Sequence, residues 1–252
     1  GGASSINGLS DAINDGSSIG LGVNSLTNNS GSGNQNTAVG NRSLNLNTTG
    51  LYNTAVGHKS LYSNTTGNLN TAIGMDSLYF NVTGSKNTAT GYYALKYNTG
   101  SDNTANGYEA LRNNTTGHSN TASGYNALYS STTGNFNTAS GYHALRLNTT
   151  GYDNVAVGYK SQRKTSTGNG NTTLGFESLE DNTTGTKNIA IGYGSGRSIG
   201  TGSNNTVLGG LAGSSAMAST VLIAAGSTER LKVTSAGLFV NGSSTALTNG
   251  TT

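Results

Sequence analysis

The side chains that most often carry out catalysis are sparse in this chain of 252 residues. Its three histidines are His58, His118 and His143, and no two of them have the four-residue spacing with which one helix face binds zinc. The sequence contains no cysteine, which excludes disulfides and thiolate metal ligands. We find no nucleophile–base arrangement, and we therefore predict no catalytic residues, no metal site and no cofactor.

Two carboxylates can be compared with a catalytic pair. Asp76 and Glu109 hold the same place in a repeated phrase, two repeats apart, which corresponds to about 10 Å in a stack of strands. Inverting glycosidases use carboxylates at a similar separation. The ten acidic residues are dispersed along the chain, however. We favour the interpretation that Asp76 and Glu109 belong to a set of scattered acidic residues on the surface. We predict that the protein is not an enzyme.

Aromatic side chains recur one repeat apart in the middle and later parts of the chain. Rings at such a spacing are expected to stack as a ladder. The ladder could be a structural stack at a strand edge or a subunit seam, or it could be an aromatic strip that binds carbohydrate. Its members are Tyr92, Tyr108, Tyr125, Tyr142, Tyr159, Phe176 and Tyr193.

Composition narrows the class of protein. Only 32% of the residues are hydrophobic and 9% are charged, with 39 Gly and no Pro, whereas an ordinary domain is close to half apolar and a quarter charged. Common β-formers between regular Gly and Asn turns indicate an ordered chain with a thin core. The formal charge of +3 is dispersed apart from short clusters such as Gln162-Arg163-Lys164, so we expect no nucleic-acid partner. No apolar stretch approaches the roughly 18 residues of a membrane span, so we expect no membrane insertion.

The strongest feature of the sequence is a repeat. The phrase NTAVGNRSLNLNTTG, which begins at Asn36, returns in eleven copies whose first Asn residues are separated by nine intervals of 17 residues and one of 16. At about 3.3 Å per residue, one unit is a loop of chain roughly 55 Å around. A Gly four residues after each Asn argues against helices. We therefore predict an all-β fold, a parallel β-solenoid or β-roll of about eleven to twelve 17-residue coils with two or three short strands per coil.

Residues that hold the same place in successive coils form columns, which we number from the first Asn as column 0. Columns 0, 2 and 4 share a strand face. Their Asn, Ala and Gly, with Ser or Ala in column 7 and Leu in column 8, predict the coil interior. Column 6 mixes charges and sizes, which predicts exposure to solvent. Column 3 is apolar at both ends of the repeat, which suits burial against a partner. The structural repeat is represented by Asn36, Gly40, Leu44, Asn53, Gly57, Leu61, Asn70, Gly74 and Leu78.

The NTTG half of the phrase predicts a turn, because Asn and Gly accept left-handed backbone conformations. Repeated Asn and Thr side chains are expected to form hydrogen-bonded ladders along the stack. Several of these Asn residues also fit the N-x-[ST] acceptor sequence for glycosylation, but the repeat itself explains their presence. They are Asn47, Asn64, Asn81, Asn114, Asn148 and Asn182.

The ends of the chain depart from the repeat. Residues 1–17 predict an N-terminal linker or cap, residues 18–213 the solenoid, and residues 214–252 a C-terminal β cap or oligomerisation segment. Within the last segment we predict strands at residues 221–225, 230–234 and 238–241. Caps are needed because an open coil end is an unpaired strand edge.

The phrase N-T-A-[VI]-G-x-x-[SA]-L, followed by a Thr/Gly turn, resembles the head repeats of trimeric autotransporter adhesins over about residues 18–213, although the period is longer here and the NTTG insert is additional. The stretch GSTERLKVTSAGLFVNGSS, residues 226–244, resembles a short β-segment of bacteriophage tail-fibre proteins, which favours a phage-type fibre. The resemblance implies a left-handed roll with three chains side by side. It implies a homotrimeric spacer, extracellular or on the virion surface, that attaches to a cell-surface glycan or protein receptor.

Two other functions fit the same pattern. The chain could be the subunit of a self-assembling extracellular filament, a homopolymer joined through its atypical ends. Alternatively, the Thr residues that fill column 1 in nine of eleven copies could match a lattice in an ice- or mineral-binding solenoid. Burial of column 3 against sister chains favours the trimeric fibre, because a lone coil lined with Ala and Gly buries little apolar area.

Overall fold

The protein is all-β in the computed structural model, which describes residues 12–14, 17–30 and 34–240. No helix occurs within these ranges. The chain divides into two compact units, residues 1–135 and 136–252. Both units are built from the same coil.

Each coil contributes one short strand, and longer strands lie near the C-terminal end. The strands of the first unit are β1 Ala12–Asn14, β2 Ile19–Leu21, β3 Thr37–Val39, β4 Thr54–Val56, β5 Thr71–Ile73, β6 Thr88–Thr90, β7 Thr104–Asn106 and β8 Thr121–Ser123. Those of the second unit are β9 Thr138–Ser140, β10 Val155–Val157, β11 Thr172–Leu174, β12 Ile189–Ile191, β13 Thr206–Leu208, β14 Val221–Ala225, β15 Thr228–Thr234 and β16 Gly237–Val240.

Within each unit, successive coils stack as parallel strands in register. In the first unit, Ala55 lies opposite Ala38 on one side and Ala72 on the other, and β1 pairs with β2 in the antiparallel direction. In the second unit, β9 to β14 are parallel neighbours. The prediction of a parallel β-solenoid is confirmed, with about 12 turns of about 17 residues. The expectation of two or three strands per coil is wrong, because tight turns make up the rest of each coil.

A thin core of small and aliphatic side chains fills each unit. In the first unit, Ala72 and Leu78 have no exposed surface, and in the second unit Leu145 and Ala156 have none. The column 7 hydroxyl of Ser77 donates to the carbonyl of the column 4 glycine three residues earlier, at 3.0 Å. Columns 2, 7 and 8 are therefore inside, as predicted.

Column 4 requires glycine because successive coils approach too closely there for a side chain. Gly74 has φ +129°, and a Cβ on it would lie 2.5 Å from the carbonyl oxygen of Gly91 in the next coil. Its N–H donates to the carbonyl of Val56 at 2.8 Å. The Gly column is thus a line of close backbone contact between coils.

Three other places in nearly every coil adopt left-handed conformations that the sequence does not signal. They are column 6, column 8 and the place just before column 0, as at Asp76 (φ 53°), Leu78 (φ 52°) and Leu69 (φ 59°). The conformation costs a non-glycine residue about 1–2 kcal/mol, so stacking and burial must offset it. By contrast, the left-handed residues expected within NTTG do not occur at residues 64–67. The coil therefore bends at places other than the predicted one.

Column 6 is not the exposed column that its mixed composition predicts. Asp76 and Asn126 are only 8% and 5% exposed, and most other members are half-buried. The left-handed turn lays these side chains beside column 9, where the carboxylate of Asp76 pairs with the ammonium of Lys96 at 3.1 Å. The mixed charge of column 6 is explained by pairing between columns.

Two columns of buried Asn side chains run along the coils. In column 0, the backbone N–H of Asn70 donates to Oδ1 of Asn53 at 2.9 Å, and its Nδ2 donates to the carbonyl of Gly84 at 2.8 Å. In column 11, Nδ2 of Asn64 donates to Oδ1 of Asn47 at 2.8 Å. The predicted Asn ladders are confirmed, and they satisfy backbone groups in the interior. All six N-x-[ST] asparagines are fully buried, so the folded chain offers none of them for glycosylation.

The second unit ends in two antiparallel hairpins. β14 continues the parallel stack on β13, and β15 and β16 then add in antiparallel order. β14 matches the predicted strand at 221–225, whereas β15 begins two residues before the predicted 230–234, and β16 begins one residue before the predicted 238–241. Residues 241–252 and most of the predicted N-terminal segment 1–17 lie outside the described residues. The predicted boundaries at residues 17 and 213 stay predictions.

Candidate binding surface

The side chains of columns 1 and 3 point outward, because each strand alternates about the buried column 2. We call the surface that these two columns form the strand face. On it, Val56 and Ile73 of the first unit are 36% and 42% exposed, and Leu174, Ile189 and Ile191 of the second unit are 51%, 42% and 41% exposed. Rows of exposed apolar side chains are unusual on a monomeric soluble protein. The strand face is therefore a candidate contact surface.

The aromatic residues of column 5 stack face to face within each unit. In the first unit, the ring centroids of Tyr92 and Tyr108 lie 5.2 Å apart, and those of Tyr108 and Tyr125 lie 5.0 Å apart. In the second unit, centroid separations of 4.9 to 5.3 Å connect Tyr142, Tyr159, Phe176 and Tyr193. Stacked pairs contribute about 0.5–1.5 kcal/mol each, so the stack has a structural value of its own. Its predicted role in binding stays a prediction.

Two phenols of the ladder, those of Tyr92 and Tyr108, have raised pKa values. Tyr92 stacks on Tyr93 with centroids 3.8 Å apart, and a side-chain hydrogen bond between the two raises the pKa of Tyr92 to about 12. Desolvation, followed by the nearby carboxylate of Glu109, also raises the pKa of Tyr108. Both phenols therefore keep their protons at neutral pH. The ladder presents hydroxyl groups beside apolar ring faces.

The two carboxylates that can be compared with a catalytic pair each form an ion pair. Asp76 lies 3.1 Å from Lys96, and Glu109 lies 3.5 Å from Arg112. Asn126 also donates to Glu109 at 3.3 Å. The two ion pairs link columns 6 and 9, the Asn126 contact joins neighbours within column 6, and together they give both acids a structural role.

The short basic cluster of the sequence is also neutralised by its neighbours. Arg163 pairs with Glu180 at 2.8 Å, and Lys164 pairs with Asp181 at 2.7 Å. Gln162 is fully buried in the core. The cluster therefore presents paired charges rather than a free cationic patch.

The three histidines have separate surroundings. Nδ1 of His58 lies 3.9 Å from a carboxylate oxygen of Asp76, and His118 is exposed. Burial, followed by the positive charge of Arg146, lowers the pKa of His143. Within residues 12–14, 17–30 and 34–240, no three His, Asp or Glu side chains gather as a metal site would. The same part of the chain contains no helix of the length and apolarity needed to cross a bilayer.

Sequence reasoning missed a polar cluster in the core of the second unit. Gln162 stands where column 8 usually has Leu, and Thr173 stands where column 2 usually has Ala. Nε2 of Gln162 donates to the hydroxyl of Thr173 at 2.9 Å, and the Ser161 hydroxyl lies 2.5 Å from the same oxygen. The signal was present in the sequence, because both residues depart from their columns in neighbouring coils.

These features define the class of the protein as a β-solenoid repeat protein with a patterned outer surface. Comparison of the chain with protein-family models, with curated proteins and with solved structures gives no match. The resemblance to adhesin head repeats and tail-fibre segments therefore rests on the repeated phrase and the C-terminal phrase alone.

Proposed function

We propose that the chain is a segment of an elongated homotrimeric surface fibre, a spacer and attachment module of the kind used in phage tail fibres. The observation that carries the proposal is the strand face, on which apolar side chains stand exposed in both units. Three chains packed side by side would remove this area from water at about 25 cal/mol per Å². That gain would supplement a thin core made largely of Ala, Leu, Ser and Asn side chains.

In this proposal, repeated coils form the spacer, and three identical chains together attach the fibre to its receptor. Within each unit, successive coils hydrogen-bond to one another through the backbone and the Asn columns, which supports a role as a stiff spacer. Three chains would present identical weak sites for a cell-surface glycan or protein receptor, and simultaneous binding raises avidity without any new contact. The location would be extracellular or on a virion, and the function would be structural rather than catalytic.

Size-exclusion chromatography with light scattering tests the proposal. We expect a mass of three times the 25.4 kDa of one chain, independent of concentration over the micromolar range. A stable mass of one chain would overturn the trimer and the role assigned to the strand face.

The C-terminal hairpin supports a filament as the second candidate. β16 is the last strand of its sheet among the described residues, and Leu238 and Val240 on it are 37% and 36% exposed. An edge of this kind can pair with another chain. Polymers whose mass grows with concentration would favour the filament over the trimer.

The outward position of column 1 supports the third candidate, an ice- or mineral-binding solenoid. Thr54 and Thr71 lie opposite one another in register, and Thr71 lies opposite Thr88 in the same way. A regular Thr array of this kind suits a lattice. A monomer that depresses the freezing point beyond the colligative value would favour this function.

A further inference from the structure

A notch in the surface of the second unit lies where one coil lacks a side chain that its neighbours have. The place just before column 0 is left-handed and exposed in the surrounding coils, as at Asp153 (φ 56°), Lys187 (φ 55°) and Asn204 (φ 60°). Gly170 holds that place between Asp153 and Lys187. The result is a cavity of about 240 Å³ bordered by Tyr152, Asp153, Asn169, Gly170, Thr186 and Lys187.

Hydrogen bonds between coils fix the walls of the notch. The N–H of Tyr152 donates to Oδ1 of Asn169 at 2.9 Å, and the N–H of Gly170 donates to the carbonyl of Tyr152 at 3.0 Å. The N–H of Lys187 donates to the carbonyl of Asn169 at 2.9 Å. The notch is therefore formed by the stacked backbone and does not depend on a mobile loop.

The groups around the notch are chemically varied and available. The Tyr152 ring is 49% exposed. Asp153 and Lys187 are exposed, and neither has an ion-pair partner within the part of the chain that the structure describes. They lie two coils apart, about 10 Å along the stack, with Gly170 between them. An anionic group, a cationic group and an aromatic ring thus surround one small space.

We propose that this notch binds a single sugar residue that carries a carboxylate. The Tyr152 ring supplies an apolar surface for the C–H face of a sugar, and the Lys187 ammonium supplies a charge-assisted hydrogen bond for the carboxylate. The Asp153 carboxylate accepts hydrogen bonds from hydroxyl groups at the other end. The volume is below the roughly 300–1,000 Å³ of pockets for larger ligands, which suits one sugar ring. The biological use of the site rests on the proposed attachment function, whereas the binding itself does not.

A notch-filling substitution provides the sharpest variant. At Gly170 a Cβ would contact only Lys187, at 3.6 Å from its Cγ and 4.0 Å from its N. The φ of +67° belongs to the region that Gln35 adopts at the equivalent place of an earlier coil, with φ 49°. Gly170→Gln should therefore fold normally and occupy the notch.

The variant that removes the Lys187 ammonium has a matched control. Lys187→Ala deletes the ammonium that binds the carboxylate. Lys86→Ala makes the same change of charge in the equivalent place of the first unit, where Lys86 has φ 58° and Lys187 has φ 55°. A general effect of charge would alter both variants equally.

Ligand-observed NMR titration of the full chain with glucuronate, and with glucose as the partner that lacks only the carboxylate, tests the proposal. We expect glucuronate to bind with a dissociation constant in the millimolar range and glucose about tenfold more weakly. Gly170→Gln and Lys187→Ala should each weaken glucuronate binding at least about tenfold, with Lys86→Ala unchanged. Unaltered glucuronate binding in Gly170→Gln, or equal binding of glucuronate and glucose, would overturn the proposal. Binding of the free amino acid glycine, which carries a carboxylate but no sugar ring, in place of glucuronate would overturn it as well.

Light scattering on the same samples separates this inference from the proposed fibre. A monomer that binds glucuronate through Gly170 and Lys187 would overturn the fibre and support the notch. A trimer that binds no glucuronate would overturn the notch and support the fibre.

Discussion

Gly74 shows how strictly a single residue is constrained by the stacking of coils. A Cβ there would lie 2.5 Å from a backbone oxygen, and its φ of +129° strains any other residue. We expect Gly74→Ala to lower the free energy of unfolding by about 3 kcal/mol or more, since overpacking and backbone strain add. Urea denaturation followed by circular dichroism measures the loss.

Gly194 is the matched control for this prediction. It has φ +61°, and a Cβ at this position would have no atom within 4 Å. Gly194 belongs to column 6, in which Asn126 adopts a similar conformation with φ 53°. Gly194→Asn should change the free energy of unfolding by less than about 0.5 kcal/mol. Equal losses in the two variants would contradict the distinction between a close-contact column and a merely left-handed one.

His143 couples the stability of the second unit to pH. Burial and the positive charges of Arg146, Arg163 and Lys160 lower its pKa below the usual 6.5. The unfolded chain therefore binds this proton at a higher pH than the folded chain does. The stability is unaffected above about pH 6.5 and decreases as the pH falls from there through the folded pKa.

The corresponding variant is His143→Gln. We expect it to reduce the fall in melting temperature between about pH 7 and pH 5, because glutamine takes up no proton. His118→Gln, at an exposed position, serves as the control. An unchanged pH dependence in His143→Gln would count against the lowered pKa.

At the scale of one coil and its neighbour, Gln162 and Thr173 form a coupled departure from the apolar core. They hydrogen-bond to each other at 2.9 Å, but Oε1 of Gln162 is buried and has no partner among the described residues. Replacing both by the residues usual in their columns removes this unsatisfied atom. We expect the double variant Gln162→Leu/Thr173→Ala to be more stable than the natural chain by about 1 kcal/mol.

The single substitutions should behave differently from the pair. Thr173→Ala alone removes one hydrogen-bond acceptor of the Gln162 amide, whose Nε2 then keeps the carbonyl of Val155 at 2.9 Å. We expect this loss to cost about 1–2 kcal/mol. A double-mutant cycle on unfolding free energies then gives a coupling energy of at least about 1 kcal/mol. Additive single effects would show that the two residues do not act as a unit.

The sequence predicts the features of a coil that follow from repetition, and it misses those that depend on the backbone conformation of single residues. Period, buried Ala and Leu columns and Asn ladders follow from repetition, because identical residues in register must share one environment. The number of strands per coil and the burial of column 6 do not follow, since a left-handed Leu78 or Asp76 leaves no mark on composition. The polar pairing of column 6 with Lys96 depends on that unexpected turn.

Of the candidate surfaces, the aromatic ladder is predictable from the sequence and the notch at Gly170 is not. Stacking of Tyr108 on Tyr125 was predictable, because aromatic residues one coil apart in a parallel stack must face each other. The notch at Gly170 was not, since a missing side chain becomes a cavity only when its neighbours Asp153 and Lys187 are known to be exposed. Sequence repetition thus predicts regular surfaces better than it predicts local sites.

At the scale of the whole molecule, the strand face makes the proposed trimer testable by one charge. Ile191 points outward on β12 and is 41% exposed, so a lysine at this place costs the single chain little. In a trimer the same lysine would be buried without a partner, which is strongly unfavourable. We expect Ile191→Lys to remain folded but to elute with the mass of one chain.

Asn204→Lys separates an effect of this contact from an effect of net charge. Asn204 is exposed, has φ 60°, and lies off the strand face at the place where the preceding coil already carries Lys187 with φ 55°. It should therefore accept lysine without strain, and the trimer should persist in light scattering. Dissociation of both variants would point to charge repulsion in general. A lysine buried against two sister chains would lose its hydration. If the trimer persists in Ile191→Lys, the contact between chains therefore lies elsewhere than on columns 1 and 3.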